Sequence, residues 1–417
     1  MKMNTEKTAS NWLRVFVLLV GWLMVMMLLT AGAAAEGTQE EKPYSEVNDN
    51  MYPSDQLDVM DASIIQLPGK AWTLHSGLEK LNNSKVAQLT GENSINHTAS
   101  RFDVGGTDLG SMAMIGDKVF MFCGDTFSTT ATNTDPNWRS NVLFVIDDDD
   151  PSDGLTISSA MTDDKGRARE MLLNTPKAYK QLVPTVIPSN LFAVDDTLYC
   201  LYMKVYEWNG HGHWRCSHSG LARSTDQGET WEYLSLRWPG NSGFIQTTTC
   251  RVGDTLYIWG IPSGRSGGVR LMRVAAAQVE DFDAYQYFVG CNEDGVPQWI
   301  EGSDGIEKAK EIIPGPVGEI CVNYNEYLGN FVLTYVNVQG KYPNIIFNQL
   351  VMREGITPWG EWSEEYRLTD HEEYPYLYGA FMCPKYVEQK GKVFYYAMSQ
   401  WVPVYNIMWM RTELPDI

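Results

Sequence analysis

The sequence has little positive charge. Its 417 residues include 32 lysines and arginines against 52 aspartates and glutamates, which gives a formal net charge of −20. A chain this acidic repels phosphate backbones. Arg265, Arg270 and Arg273 lie near one another, but no basic stripe of the kind that binds nucleic acid runs along the sequence. We therefore expect no nucleic-acid partner.

Cysteine is also scarce, and its seven copies are scattered without the C-x-x-C spacing of a metal knuckle. Most lie inside apolar strand patterns, so we expect small buried residues in preference to disulfide partners. His211, His213 and His218 lie close to Cys216, but the composition of that segment is typical of a loop. The sequence predicts neither a metal site nor a cofactor.

One uninterrupted apolar run is present, at the N-terminus. Lys2, Lys7 and Arg14 precede the run Val15–Leu29, and the small residues 31–35 follow it. This order is typical of an export signal that is cleaved after residue 35, and an uncleaved membrane anchor is the alternative. We expect a secreted or cell-surface protein, in contact with a membrane only if this segment stays uncleaved.

Aromatic and turn-forming residues are abundant: 14 Trp, 22 Tyr and 14 Phe accompany 36 Gly and 19 Pro. This composition suits strands joined by tight turns. Residues 36–61 are polar and acidic and predict a flexible spacer, whereas residues 62–417 contain no interdomain linker and predict one domain. The aromatic rings also fit a carbohydrate ligand, because sugar rings present C–H faces that lie against Trp and Tyr; core packing is their other use.

A hairpin pattern recurs five times. Each copy has an apolar strand, a turn containing Gly or Asp, and a second strand rich in aromatic and β-branched residues. The turns lie at positions 117, 196, 254, 330 and 392, and the 58 to 79 residues between them leave room for two more strands in every unit. The sequence therefore predicts an all-β fold, a five-bladed β-propeller with four-stranded blades. Ser224–Trp231 also fits the Asp-box pattern S-x-D-x-G-x-T-W, a structural turn of propeller blades.

The first hairpin carries two acids. Asp108 precedes its first strand and Asp125 follows its second, so folding about the turn brings both to one end. Glycoside hydrolysis needs such a pair, one carboxyl to donate a proton and one to act as nucleophile or base. Residues opposite each other on paired strands lie ~4.5–5.5 Å apart at Cβ, which suits the short separation of the two carboxyl groups in a retaining enzyme. Loops at the hairpin mouth could widen that separation to the distance found in inverting enzymes. The alternative is structural, with Asp125 capping a turn and Asp108 bonding its glycine-rich loop.

The same end of the other blades supplies further candidates, if the blades are radial. Glu319, on blade four, is a third acid at this end. It either binds a substrate hydroxyl, shifts the pKa of a neighbouring carboxyl group or has a structural role. Together with it, the candidate substrate-binding residues are Gln246, Arg265, Trp401, Tyr405 and Asn406.

Seven motifs follow one another between Phe102 and Met410. They are Thr107-Asp108-Leu109-Gly110, Phe122-Cys123-Gly124-Asp125-Thr126-Phe127, Ser219–Ser224, Ser263-Gly264-Arg265, Val317-Gly318-Glu319, Pro358–Ser363 and Ser399-Gln400-Trp401. Together they resemble domain-of-unknown-function family 4185, which includes the endo-D-arabinanases of glycoside hydrolase family 183. The resemblance implies a five-bladed propeller that cleaves D-arabinofuranosyl linkages with the two aspartates of the first two motifs, here Asp108 and Asp125.

The leading hypothesis is an exported, monomeric glycoside hydrolase, endo-acting on D-arabinan, with a polysaccharide as its partner. A non-catalytic propeller that binds glycan or protein at the cell surface is the alternative from another class. The Asp box suggests a third hypothesis, an exo-sialidase. A sialidase site needs three arginines in the channel and a Tyr–Glu pair, and these residues cannot be placed in this sequence. Sialidases also usually repeat the Asp box, whereas it occurs once here. The sialidase hypothesis is therefore disfavoured.

Overall fold

The computed structural model describes residues 65–129, 135–210, 212–339 and 346–417. The predicted export signal, residues 1–35, and the predicted spacer, residues 36–61, lie outside these ranges. Within them, no helix combines the length and the apolar composition that crossing a bilayer requires.

Five antiparallel sheets make up the described chain and form the five blades of a β-propeller. The first strand of the described residues is β1 (Asn82–Gln88). Blade one contains β2 (Leu109–Ile115), β3 (Lys118–Cys123), β4 (Val142–Ile146) and β5 (Ile157–Ala160). Blade two contains β6 (Thr185–Val194), β7 (Thr197–Gly210), β8 (His213–Ser224) and β9 (Glu232–Pro239). Blade three contains β10 (Gln246–Val252), β11 (Thr255–Ile261), β12 (Val269–Ala275), β13 (Gln286–Cys291), β14 (Pro297–Glu301) and β15 (Glu311–Ile313). Blade four contains β16 (Val317–Asn325), β17 (Asn330–Gln339), β18 (Ile346–Thr357), β19 (Gly360–Trp362) and β20 (Tyr366–Asp370). Blade five contains β21 (Leu377–Glu388), β22 (Val393–Gln400), β23 (Asn406–Glu413) and, as its outer strand, β1.

Helices are few and short in the part of the chain that is described. The α-helices are α1 (Thr98–Phe102) and α2 (Ser303–Lys308). Single 3-10 turns span Tyr179–Gln181, Ala276–Gln278, Phe282–Ala284 and Gln389–Gly391. All of these segments connect strands, so the prediction of an all-β, five-bladed propeller is confirmed.

All five predicted hairpins are present, each as the first two strands of a blade. Their turns need a residue with positive φ, and the sequence supplies one each time. Gly116 and Gly253 both have φ 58°, where glycine carries no Cβ to clash, and Asp195 takes the same role in blade two with φ 52°. The turn residues therefore fix where each inner hairpin reverses.

The blade sizes differ from the prediction. Four strands in every blade is wrong for blade three, which has six, and for blade four, which has five. Blade five reaches four only because β1, from the N-terminal side of blade one, pairs with β23 and so joins the two ends of the ring.

The first strands of all five blades line a central channel. The apolar core lies between neighbouring blades. For example, the Asp-box residue Trp231 of blade two packs against Phe122 of blade one, with ring centroids 5.2 Å apart. The box itself forms the predicted turn, since Asp226 Oδ1 accepts hydrogen bonds from the Ser224 hydroxyl (2.7 Å) and the Thr230 N–H (2.9 Å). All seven cysteines are free thiols, and five are buried as predicted.

Candidate active site

The two aspartates of the first hairpin line one cavity of about 350 Å³ at the channel mouth. Strands β2 and β3 pair Leu109 with Cys123, and the Gly124 N–H donates to the Asp108 carbonyl at 3.1 Å. A register shift after Leu109, which has φ 63°, marks a bulge that turns Asp108 out of the regular ladder. A Cβ on Gly124 would collide with Asp108 Oδ1, so glycine at this position leaves room for the carboxyl group.

Asp125 is buried, with 8% of its surface exposed, and its side chain has two donors. The indole N–H of Trp138 and the hydroxyl of Thr185 both donate to Oδ1, each at 2.8 Å. Burial, reinforced by the nearby charge of Asp108, raises the pKa of Asp125 to about 8.

Asp108 has different partners. The Tyr378 hydroxyl donates to its Oδ2 at 2.8 Å, and the Tyr405 hydroxyl also bonds this carboxyl group. Burial raises the pKa of Asp108 to about 7, while the two tyrosines oppose that shift. Neither aspartate takes the structural role of the alternative interpretation, because their side-chain partners come from other blades and loops.

Glu319 and Arg265 form a buried ion pair in the wall of the same cavity, with side chains 4% and 6% exposed. Arg265 Nε donates to Glu319 Oε2 at 3.0 Å, and a second guanidinium nitrogen contacts Oε1. Arg265 also donates to the Gly212 carbonyl at 2.7 Å and lies 4.6 Å from the centroid of the Trp214 ring. The guanidinium charge is therefore largely neutralised within the wall.

Two residues that line the cavity each have a buried polar atom with no hydrogen-bond partner in the described structure: Asp108 Oδ1 and Gln246 Oε1. Buried polar atoms are normally bonded, because leaving one unpaired costs about 1–3 kcal/mol. Two unpaired acceptors on residues of one cavity are groups that the hydroxyls of a ligand would satisfy.

The other predicted binding residues divide into two groups. Gln246, Trp401 and Tyr405 line the cavity with the acids. Asn406 lies behind the wall, where its Oδ1 accepts from the Thr90 hydroxyl at 2.9 Å, and it is not among the lining residues.

Several neighbours of the aspartates were not among the predicted site residues. Tyr378 and Thr185 lie at the first-strand ends of blades five and two, the positions that correspond to Asp108 on blade one, but neither side chain is an acid. Trp138 lies in the connection between β3 and β4, where no periodicity or motif marks it.

The histidines do not form a metal centre in the part of the chain that the structure describes. No group of three or more His, Cys, Asp or Glu residues is placed there to hold an ion. His211 lies outside the described residues, His213 lines the cavity, and His218 packs edge-on against Tyr202. Burial lowers the pKa of His213, so this imidazole is neutral in neutral solution.

A larger cavity, of about 740 Å³, lies at the opposite end of blade three, beside the β10–β11 turn. Asp254, Asp281, Asp283 and Glu301 line it, and all four are exposed to solvent. Carboxyl groups in open solvent are less suited to proton transfer than a buried one such as Asp125, so the channel mouth is the better candidate for chemistry.

The sequence profile of the family described as "Domain of unknown function (DUF4185)" matches residues 93–411. No curated protein matches the chain in sequence. The structure is similar to a candidate hydrolase from Bacteroides ovatus, with 12% identity and a TM-score of 0.53, covering 90% of this chain and 97% of that one. This likeness shows a shared fold.

Two glycosidases show weaker likenesses. An exo-β-1,3-galactanase from Phanerochaete chrysosporium has 10% identity and a TM-score of 0.46, covering 79% of this chain and 64% of that one. An α-L-arabinofuranosidase from Podospora anserina has 8% identity and a TM-score of 0.41, covering 80% of this chain and 96% of that one.

Proposed function

We propose that this chain, which belongs to the DUF4185 family of unknown function, is a glycoside hydrolase. The observation that carries the proposal is the pair Asp108 and Asp125, which line one cavity, the first half-buried and the second buried, and are held by different hydrogen-bond donors. Two carboxyl groups with unequal surroundings can hold one proton between them near neutral pH, which is the state that glycoside cleavage requires.

Asp125 is the proposed proton donor. Its Oδ1 already accepts from Trp138 and Thr185, so Oδ2 is the oxygen left to carry a proton. A pKa raised by burial to about 8 keeps that proton in place at neutral pH. The group can then give the proton to the leaving oxygen of the substrate.

Asp108 is the proposed nucleophile or base. Asp108 is half-buried whereas Asp125 is buried, so the charge of Asp108 is better solvated, and the hydroxyls of Tyr378 and Tyr405 also favour its ionised form. Asp108 therefore ionises first, and its unpartnered Oδ1 is available either to attack the sugar or to activate a water molecule.

The charges of the cavity favour a neutral sugar. Three carboxyl groups line it against one arginine, and the charge of Arg265 is engaged by Glu319. An anionic sugar such as a sialoside would enter a field of its own sign and would find no arginine cluster in the described lining. Gln246 Oε1 is suited to a hydroxyl group.

The finer specificity that we propose is endo-acting cleavage of D-arabinan. It rests on the seven ordered motifs and on the neutral, hydroxyl-binding lining. We infer that the enzyme is exported, from the order of charged, apolar and small residues in positions 1–35.

Release of new reducing ends tests the proposal. Purified protein is incubated near pH 7 with D-arabinan, L-arabinan and a sialoside, and we expect reducing ends from D-arabinan but not from the other two. The double variant Asp108→Asn with Asp125→Asn should release none. Binding of D-arabinan by the wild type without cleavage would overturn the hydrolase proposal in favour of a glycan-binding propeller.

A further inference from the structure

Both strongly exposed tryptophans of the described chain lie at the rim of the cavity that holds the acids. Trp208 is 39% exposed and Trp401 is 52% exposed, and Tyr376, at 51%, lies beside Trp401. Burying apolar surface stabilises a protein by about 25 cal/mol per Å², and a large apolar side chain that stays in water does not contribute this free energy. A group of them around one cavity is typical of a ligand-binding surface.

The side chains at this rim are held in place while part of each ring stays open. The Trp208 indole N–H donates to the Leu182 carbonyl at 2.9 Å, and its ring meets Trp214 at 5.9 Å and 60°. The Trp401 ring meets the Tyr376 ring edge-on, at 5.9 Å and 83°, and the backbone N–H of Trp401 donates to the Tyr376 carbonyl at 3.2 Å. Rings positioned before a ligand arrives lose little freedom on binding.

The exposed rings belong to the two blades that adjoin blade one. Trp208 lies on β7 of blade two, and blade two joins blade one where the Leu191 N–H donates to the Ser111 hydroxyl at 2.8 Å. Trp401 follows β22 of blade five, which joins blade one where the Leu109 N–H donates to the Ser399 hydroxyl at 2.7 Å. The acid pair on blade one therefore has one aromatic group on each side.

We propose that these are two sugar-binding subsites on opposite sides of the cleaved bond, Trp208 on blade two and Trp401 with Tyr376 on blade five. The inference rests on the proposed function and deepens it. The ligand is a neutral polysaccharide chain that crosses the acid pair and stacks a sugar ring on each aromatic group. Because the polysaccharide has sugar rings bound on both sides of the acid pair, the glycosidic bond that lies at the acids is inside the chain and not at its end.

Binding to an inactive protein tests the two-sided site without requiring turnover. D-arabino-oligosaccharides of increasing length are titrated into the Asp108→Asn, Asp125→Asn double variant, and affinity is measured by calorimetry. We expect affinity to rise until the chain reaches both aromatic groups. Adding Trp208→Ala or Trp401→Ala should each weaken binding of the longest ligand by about tenfold, which corresponds to about 1.4 kcal/mol for one stacked ring.

Tyr206→Ala is the matched control, because Tyr206 lies on β7 two residues from Trp208, is 50% exposed and does not line the cavity. Its removal should leave affinity unchanged. If only one of the two tryptophans affected the affinity of the long oligosaccharide, the two-sided site would be wrong.

Product analysis in the active protein separates this inference from the proposed function. End-labelled oligosaccharides should be cut at internal bonds, and each tryptophan variant should raise KM and move the favoured bond. Release of single sugars from one end would overturn the two-sided site and leave the hydrolase intact. Two-sided binding by the double variant with no cleavage by the wild type would overturn the hydrolase and leave the subsites intact.

Discussion

The proton affinities of the two aspartates depend on the individual side chains around them. Asp125 receives its hydrogen bonds from Trp138 and Thr185, whereas Asp108 receives them from Tyr378 and Tyr405. Removing one donor should therefore change one carboxyl group more than the other.

Tyr378→Phe tests this at Asp108. The Tyr378 hydroxyl lowers the pKa of Asp108, so its loss should raise that pKa further. The acidic limb of the kcat/KM profile should move to higher pH by up to about 1 unit, because one hydrogen bond contributes about 0.5–1.5 kcal/mol. Tyr206→Phe, an exposed tyrosine outside the cavity, is the control. An unmoved acidic limb would show that Asp108 does not control it.

Asp125→Asn should stabilise the fold above neutral pH. Burial raises the pKa of Asp125 from its ordinary value of 3.8 to about 8, so the folded protein holds a proton that the unfolded chain releases. This contribution to stability is fully present below about pH 4 and is lost as the pH rises through 8. The variant should gain at least about 1 kcal/mol in the free energy of unfolding at pH 8.5 and little at pH 4, measured by urea denaturation. A loss of stability at pH 8.5 would contradict the buried, protonated carboxyl group.

Much of this cavity follows from sequence, because topology alone brings Asp108, Asp125 and Glu319 to one end of the blades. The donors are harder to predict. Trp138 lies in an irregular connection and reaches Asp125 through the path of a loop. The engagement of Arg265 by Glu319 could not be predicted either, because it depends on the side-chain geometry of two blades.

At the scale of elements, the first hairpin explains why a glycine precedes Asp125. Gly124 faces Asp108 across the ladder and leaves space for its carboxyl group, while Gly116 supplies the positive φ of the turn at the other end. The two glycines serve different purposes on one hairpin.

Gly124→Ala and Gly116→Ala separate those purposes. An alanine Cβ at position 124 would meet Asp108 Oδ1, so we expect activity to fall by about 10²-fold or more as the carboxyl group is displaced. Gly116 has φ 58° and no atom within reach of a Cβ, so Gly116→Ala should cost about 1–2 kcal/mol of stability and leave kcat unchanged. Equal losses of activity in both variants would contradict this division.

At the scale of the whole molecule, β1 joins the ends of the ring, and Asn83 is a central contact of that closure. The buried hydroxyls of Thr412 and Tyr396 both donate to Asn83 Oδ1, at 2.7 and 2.8 Å. The closure lies in blade five and is separate from the cavity lining.

Asn83→Ala should therefore weaken the fold without changing the chemistry. Two buried hydroxyls lose their acceptor, and we expect a loss of about 1–3 kcal/mol in urea denaturation with kcat unchanged. Asn82→Ala, at the exposed neighbouring position, should change neither quantity. A fall in kcat for Asn83→Ala at a temperature where the protein is folded would indicate that closure and site are coupled.

The five inner hairpins were predicted because each combines apolar strands with a turn containing Gly or Asp. The closing strand was missed, since β1 (NNSKVAQ) is mostly polar and shows little alternation. Two of the three extra strands, β15 and β19, were missed because three residues are too few to show a period.

The most direct test of the account compares Asp108→Asn and Asp125→Asn on two substrates. On D-arabinan, both variants should release reducing ends at least about 10²-fold more slowly than the wild type while melting cooperatively. On a 4-nitrophenyl arabino-oligosaccharide, whose leaving group needs no proton, Asp125→Asn should recover most of its rate and Asp108→Asn should not. A wild-type rate on D-arabinan in either folded variant would contradict the claim that these two carboxyl groups carry out the reaction.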